Sequence, residues 1–386
     1  MRTAKLKDIT LTITDGKHGD CKNHDGSGYY FISCKDVYDE TIHYENARQI
    51  TEDDFRDADR RTSLAAYDIL ITNSGTIGRM ALVKDIPETR RTTFQKSVAI
   101  VRADTSQVVP NYLYYLLKSK VHDFINSSNG SAQKNLLLST MRDFDISFVD
   151  SFETQHRIAT ILSRYDSLIE NYQKQIMLLE EAAQRLCKEW FVDLHFPGHE
   201  NTKIVDGVPE GWKKKTLDEY CSVFTGKKNA NAAVPLGKYK FFTCGETPLQ
   251  INSFIYDGPA IIISGNGSYT GRTTFYEGKF DLYQRTYACT ISNNDNKDMI
   301  YGLFEIVKCE LTAQISGGTH GAAIPYIVMG DVTKFTFTSN DIILRKFSKI
   351  IKSFLDRTMC ISSQIRLLTE ARDRLLPKLM NGEIIT

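Results

Sequence analysis

Lys, Arg, Asn and Gln side chains recur in the Gly- and Ser-containing stretches of this chain. They are the residue types that pair with phosphate oxygens and with base edges. The first half offers Lys17, His18, Lys22, Asn23, Arg60 and Arg61, then Asn73, Ser74, Arg79, Arg90, Arg91, Lys96, Gln133 and Lys134. The second half offers Lys227, Lys228, Asn229, Asn266, Tyr269, Arg272, Arg285 and His320. For any single one of them a solvated surface position is the plainer alternative. The acidic stretch Glu52-Asp53-Asp54, Asp57 and Asp59 is expected to face away from phosphate, toward a protein partner.

Other chemistries can be assembled from the residues and weighed. Asp257, Glu277 and Lys279 could hold a divalent cation and a water, as a metal-dependent nuclease would require, but Gly258-Pro259 beside the Asp argues for a hairpin. His18, Cys21 and His24 are spaced for a metal, yet structural zinc wants four ligands and no fourth is near; no metal site is expected. Between Gly265 and Gly271-Arg272 the glycines lack Walker A spacing and its Lys. No Asn/Asp-Pro-Pro-aromatic string is present either, so no catalytic residues are expected.

The whole-chain numbers set limits. With 386 residues the chain has room for two or three domains. Lys+Arg 48 against Asp+Glu 47 leaves a net charge of +1, so any nucleic-acid binding must come from local patches and not from a global basic field. No apolar run is long enough to cross a bilayer, and the amino terminus lacks the apolar core of a signal peptide. The eight cysteines are scattered without a CxxC pair, which suggests reduced thiols in a cytoplasmic protein with no membrane partner.

Positioning such loops falls to a duplicated set of elements. Between 152 and 194 there is neither Pro nor Gly, and apolar residues recur every 3.5 positions. One row is Ile158, Tyr165, Tyr172, Leu179 and Leu186; the other is Ile161, Leu168, Gln175 and Ala182. Adding 189 gives Phe347, Phe354, Ile361, Leu368 and Leu375, with Ile350, Arg357, Gln364 and Ala371. The matched Gln175 and Gln364 are polar seam residues of the kind that fix register. The text ahead of each helix repeats too. Asp68-Ile69-Leu70-Ile71-Thr72 leads to a turn closing at Gly78-Arg79, and Ala260-Ile261-Ile262-Ile263-Ser264 leads to one closing at Gly271-Arg272.

The expected layout is a globular part over 1–150, with strands near 9–14, 30–33, 69–72 and 97–101 and a helix near 111–124. A helical spacer follows over 151–195 and a Gly/Pro linker over 196–212. A second globular part over 213–343 and a second helical spacer over 344–386 complete it. That is an α+β chain: two globular α/β modules joined by two long antiparallel helices in a coiled coil, with internal pseudo-two-fold duplication. A helix of about 40 residues spans roughly 60 Å, enough to hold two readers about one DNA turn, roughly 34 Å, apart. A coiled-coil adaptor without DNA binding would explain the helices but not the duplicated loops.

Several strings resemble the specificity subunits of type I restriction–modification systems across nearly the whole length. They are Asp68-Ile69-Leu70-Ile71 with Gly75-Thr76-Ile77-Gly78-Arg79, Gly130-Ser131-Ala132-Gln133-Lys134, Gln155-His156-Arg157-Ile158-Ala159, Pro209-Glu210-Gly211-Trp212, and Leu379-Met380-Asn381-Gly382-Glu383. The resemblance implies two target recognition domains, each reading one half of a bipartite double-stranded DNA site, in a subunit that does no chemistry. It implies as partners two methyltransferase (modification) subunits, docked on the helices and using S-adenosylmethionine, and restriction/translocase subunits using ATP and Mg. No cofactor is expected in the chain itself.

Overall fold

The computed structural model describes residues 1–128, 135–315 and 326–384, which divide into two compact units. Along the first globular part run β1 (Arg2–Lys5), β2 (Thr10–Asp15), β3 (Tyr30–Ile32), β4 (Val37–Tyr38), β5 (Thr41–Ile42), β6 (Arg48–Gln49) and helix α1 (Glu52–Thr62). They are followed by β7 (Ile69–Thr72), β8 (Met80–Leu82), β9 (Thr92–Phe94), β10 (Val98–Ala103), α2 (Pro110–Ser119), α3 (Val121–Asn126), α4 (Leu138–Arg142) and β11 (Asp145–Phe148). The long helix α5 (Phe152–Cys187) continues into a π-helical turn, Lys188–Val192. The second half has β12 (Ile204–Val205), β13 (Val208–Pro209), β14 (Lys213–Thr216), β15 (Cys221–Thr225), β16 (Tyr239–Phe242), β17 (Leu249–Ile251), β18 (Tyr256–Ser264), β19 (Thr273–Leu282) and β20 (Thr286–Ile291). Then come α6 (Ile300–Ile315), α7 (Met329–Thr333), β21 (Thr336–Ser339) and the long α8 (Asp341–Met380).

Local chemistry accounts for most of these choices. Thr51 caps α1, its hydroxyl accepting from Asp54 N–H, and three acidic residues fill the first turn, where the helix dipole favours them. Pro110 starts α2 at the position where a missing N–H costs nothing. The single helix expected near 111–124 is two, α2 and α3, meeting at Lys120, whose backbone is non-helical. The strand expected at 69–72 is observed at Ile69–Thr72, fully buried.

The first unit comprises Met1–Asn171 and Ile365–Thr386. Its main sheet is antiparallel in the order β2-β10-β7-β8, with a three-stranded sheet β6-β3-β9 in which β3 and β9 are parallel, and the pair β1-β11. Its largest core gathers Ile69, Ile71, Val101, Tyr112, Leu113, Phe124 and Phe148 with Ile158, Ala159 and Leu162 of α5 and Leu376, Leu379 and Met380 of α8. At about 1.5–3 kcal/mol for each fully buried large side chain, those α8 residues contribute substantially to that core.

The second unit, Tyr172–Gln364, repeats the scheme. Its sheet runs β15-β20-β18-β19-β16-β17, with β16 and β19 parallel, and β14 pairs with β21 as β1 does with β11. The core takes Ile261, Ile263, Cys289, Leu303 and Ile306 together with Ala183 and Cys187 of α5 and Leu344, Phe347 and Ile351 of α8. Phe347 lies 5.0 Å, centroid to centroid, from Phe191 and 5.6 Å from Trp190.

Within each unit the α5 and α8 segments run antiparallel. In the first, Asp166 meets Arg372; in the second, Gln175 meets Arg357. One predicted row, Ile158, Tyr165, Tyr172, Leu179 and Leu186, faces inward to differing degrees, as does Phe347, Phe354, Ile361, Leu368 and Leu375. The second row is displaced by one residue. Leu162, Ile169, Ile176 and Ala183 line the seam in place of Ile161, Leu168, Gln175 and Ala182, and Ile351, Thr358, Ile365 and Arg372 in place of Ile350, Arg357, Gln364 and Ala371. Leu168 is 40% exposed and Ala182 is exposed, whereas Ile169 is buried. Ile161, Ile350, Gln175 and Gln364 sit half-buried at the margin; Arg357 donates to Gln175 Oε1 at 3.4 Å.

Candidate nucleic-acid interface

In each unit, backbone hydrogen bonds gather four chain segments at one end of the main sheet. In the first, Lys17 bridges in parallel to Gln95, Asn73 N–H donates to Ser97 O, and Ser74 bridges to Asn135. In the second, Lys228 bridges in parallel to Tyr283, Gly265 N–H donates to Arg285 O, and Asn266 bridges to Tyr326. The sequence-predicted Lys17, Asn73, Ser74 and Lys96 therefore converge, as do Lys228, Asn266 and Arg285. A glycine ahead of each Lys makes the crossing possible. A Cβ on Gly16 would sit 1.9 Å from Phe94 O, and one on Gly226 1.8 Å from Leu282 O.

The predicted Gly-Arg turns also match. Thr72 O accepts from Gly78 N–H, and the Thr72 hydroxyl accepts from Arg79 N–H at 2.9 Å while donating to Thr76 O. Ser264 O accepts from Gly271 N–H, and Ser264 N–H donates to Arg272 O. Gly78 and Gly271 both adopt positive φ, 88° and 83°. Beyond the turn, Arg272 donates to Glu246 O at 2.7 Å, its guanidinium lies 5.3 Å from the centre of the Tyr269 ring, and Tyr269 OH reaches Glu246 Oε2 at 3.3 Å.

Many of the predicted groups are already engaged within the protein. Lys17 pairs with Asp57 at 3.0 Å, and that hydrogen bond raises its pKa. His18 and Arg61 both bind Asp15, at 2.9 and 2.8 Å. The backbone N–H of Lys22, not its exposed ammonium, donates to Asp54 Oδ2 at 2.6 Å, which lowers the Asp54 pKa. Asn23 Oδ1 accepts from Arg48, which also binds Asp20. Asn73 is buried. Lys228 binds Asp281 at 2.7 Å and also reaches Ser253. Thus Asp54 and Asp57 of the acidic stretch turn back onto the Lys17–Lys22 loop, contrary to the expectation that the stretch faces a protein partner. The pairing spans some forty residues of sequence, beyond the reach of local pattern.

Arg60, Arg79, Arg90, Lys96, Lys227 and Arg285 are exposed and make no side-chain hydrogen bond or ion pair among the described residues. Exposed Asn229 precedes a short 3₁₀ turn. Arg91 lies over Tyr29 and, with Arg90 and Gly28, lines a cleft of about 570 Å³. Gln133, Lys134 and His320 lie outside the described residues.

The structure adds a group absent from the sequence reading. Arg372 of α8, with an 8%-exposed side chain, binds Asp166 of α5 at 2.6 Å and Glu40 at 2.8 Å. Glu40 also binds Lys118 at 2.5 Å, and Tyr115 donates to Asp166. Burial opposes the Arg372 cation, yet the Asp166 hydrogen bond and the nearby carboxylates hold its pKa above the ordinary value. Burial lowers the Lys118 pKa, against the pull of Glu40. The signal in the sequence was a charged residue at 372 where the repeat has Ala183.

The rival chemistries find no support. Asp257 and Lys279 face each other across the β18–β19 ladder as a 4.0 Å ion pair beside exposed Glu277; Gly258 and Pro259 sit in mid-strand, not at a hairpin turn. His18 is bound to Asp15 and Cys21 is buried, and no cluster of metal-ligating side chains occurs among the described residues. No helix among them is long and apolar enough to cross a membrane.

Two units with one topology, each bringing a Gly-Lys crossing and a Gly-Arg turn to one sheet end and sharing paired long helices, define a duplicated sequence-recognition protein. The chain belongs to the family of type I restriction–modification specificity subunits, the non-catalytic, DNA-sequence-recognising components of those systems. Residues 3–181 match the family described as Type I restriction modification DNA specificity domain. The type I restriction enzyme MjaIX specificity subunit of Methanocaldococcus jannaschii is 30% identical over 94% of this chain and 88% of its own length. The EcoDI specificity subunit of Escherichia coli is 33% identical over 46% of this chain and 39% of its own. The S subunit of a type I system from M. genitalium shares the fold, with a TM-score of 0.63 at 17% identity, covering 98% of this chain and 96% of that one.

Proposed function

We propose that each unit carries one target recognition domain, over 1–150 and 213–343, and that each reads one half of a bipartite double-stranded DNA site. The helical spacers, 151–195 and 344–386, with the 196–212 linker, set the gap and dock two methyltransferase subunits. S-adenosylmethionine serves those subunits, ATP and Mg serve the restriction/translocase subunits, and the assembly works in the cytoplasm. The observation that carries this reading is the duplicated sheet end, where Lys17 and Lys228 occupy matching places, with Lys96 beside the first and Arg285, one place further along, beside the second. Lys22, Arg60, Arg79, Arg90, Lys96, Lys227 and Arg285 are among the cations left available for phosphates or guanine edges.

The test is an exchange. Replacing residues 1–150 with those of another family member and sequencing the methylated genome of a host carrying the complete system should change one half-site only. A change in both halves, or in neither, overturns the assignment of one reader to each unit.

A further inference from the structure

The two seam rows of each long helix correspond at an offset of 189. Across Ile158, Leu162, Tyr165, Ile169, Tyr172, Ile176, Leu179, Ala183 and Leu186 and their counterparts up to Leu375, the single charged residue is Arg372. Its counterpart is Ala183. The residue facing Arg372 is Asp166, whose counterpart is Leu355.

The two units treat this place differently. In the first unit Arg372 is enclosed, with Asp166, Glu40 and its neighbour Asp373 as carboxylate partners. Glu40 is presented by a tight turn between β4 and β5 in which Asp39 and Glu40 both have positive φ, 46° and 63°, a conformation costly for non-glycine residues and so held by its surroundings. In the second unit Ala183, Leu355 and Phe304, together with Glu180, Glu305 and Lys308, line the equivalent place around a cavity of about 50 Å³.

We infer that Arg372 and Ala183 form a pairing code that makes the first half of this chain complementary to the second half and not to a copy of itself. Antiparallel self-pairing of the first-half helix would set Ala183 against Asp166, leaving two carboxylates, Asp166 and Glu40, with Lys118 alone. Self-pairing of the second-half helix would set Arg372 against Leu355 beside Glu305, a place that already holds a carboxylate, so the discrimination rests on the first half. Breaking a buried ion pair by losing one partner is strongly destabilising, because the other charge stays buried. Cross-pairing satisfies both places at once: Arg372 on Asp166, Ala183 on Leu355. A single polar position inside an apolar seam is a known physical means of fixing partner and register. The partner that the first half selects is therefore a helix carrying a cation where its own sequence has Ala183.

A protease site in the exposed stretch around Gly198 allows the purified full-length protein to be cut into two halves that remain together. Cut wild type is mixed with cut, isotopically labelled D166R/R372D, in which the pair is kept with its signs reversed. The mixture is exchanged by dilution and concentration and read by native mass spectrometry. Matched cross-pairs should exceed mismatched ones at least tenfold, and A183R in the first half should raise its self-paired species at least tenfold. Random assortment of wild-type and swapped halves overturns the inference, as does an A183R first half that never self-pairs. Should A183R not accumulate as soluble protein, the swap experiment decides alone. Should the swapped chain fail as well, R372A decides: a loss of cross-paired halves of at least tenfold supports the code, and unchanged cross-pairing refutes it.

Discussion

Lys227 and Lys228 are neighbours in sequence with opposite fates, and replacing each by Ala separates binding from stability. Lys228 holds Asp281, a 3%-exposed carboxylate that also accepts from Ser253 and from Leu282 N–H. Removing one partner of a buried pair costs about 3–5 kcal/mol; Asp281 keeps two other donors, so about 3 kcal/mol is expected for K228A. For a unit of roughly 190 residues, at about 2–4 °C per kcal/mol, the second unit should melt about 6–12 °C lower. Lys227 is exposed and free of side-chain partners among the described residues, so K227A should leave the melting temperature within about 1–2 °C. If Lys227 reaches a phosphate, losing it should reduce the slope of log affinity against log salt by about 0.9. Calorimetry of the purified chain, with fluorescence anisotropy of DNA binding by the assembled complex across a salt series, measures both. K228A that melts like wild type, or K227A that melts early with an unchanged salt slope, refutes the division into anchored and available cations.

Two further outcomes follow from the structure. Burial raises the pKa of the Glu305 carboxyl above its ordinary 4.5, so the native state binds that proton more tightly than the unfolded chain does. Its stabilising contribution is complete below about pH 4.5 and is lost as pH rises through the raised value; E305Q should flatten this loss in urea midpoints taken from pH 4 to 8, and parallel curves would exclude Glu305 as the cause. Because each unit's seam uses segments of both helices, a heptad added after Asn171 needs a matching heptad after Gln364. The double insertion should lengthen the gap between half-sites and leave both half-sites unchanged, whereas a single insertion should lower the melting temperature; methylated-genome sequencing and calorimetry read the two.

The parts legible in the sequence were those written in local pattern. The strand at Ile69–Thr72, the Gly-Arg turns, the α5 segment and one full seam row all follow from period, glycine placement and repetition. The second row was not legible. Ile161 and Leu162, Leu168 and Ile169, and Ala182 and Ala183 are adjacent residues of similar polarity, so the 3.5-residue period fits either set. The cores under each helix make the choice, and those are assembled from residues far away in the chain. The candidate interface divided along the same line. Residue type and loop position named the cations, but which of them are neutralised depends on partners such as Asp57 for Lys17 and Asp281 for Lys228, tens of residues distant. Arg372 was not legible for a further reason: a repeat shows itself in similarities, and the meaning of Arg372 lies in a difference.

The first unit is built from two stretches, Met1–Asn171 and Ile365–Thr386, and Leu376, Leu379 and Met380 are buried in its core. During synthesis this body stays unfinished while the whole second half is translated, about 200 residues at about 5–20 residues per second, an interval on the order of 10–40 s. The first unit to leave the ribosome is thus the last to be completed, and a chain broken off early would present a body whose floor had not yet arrived.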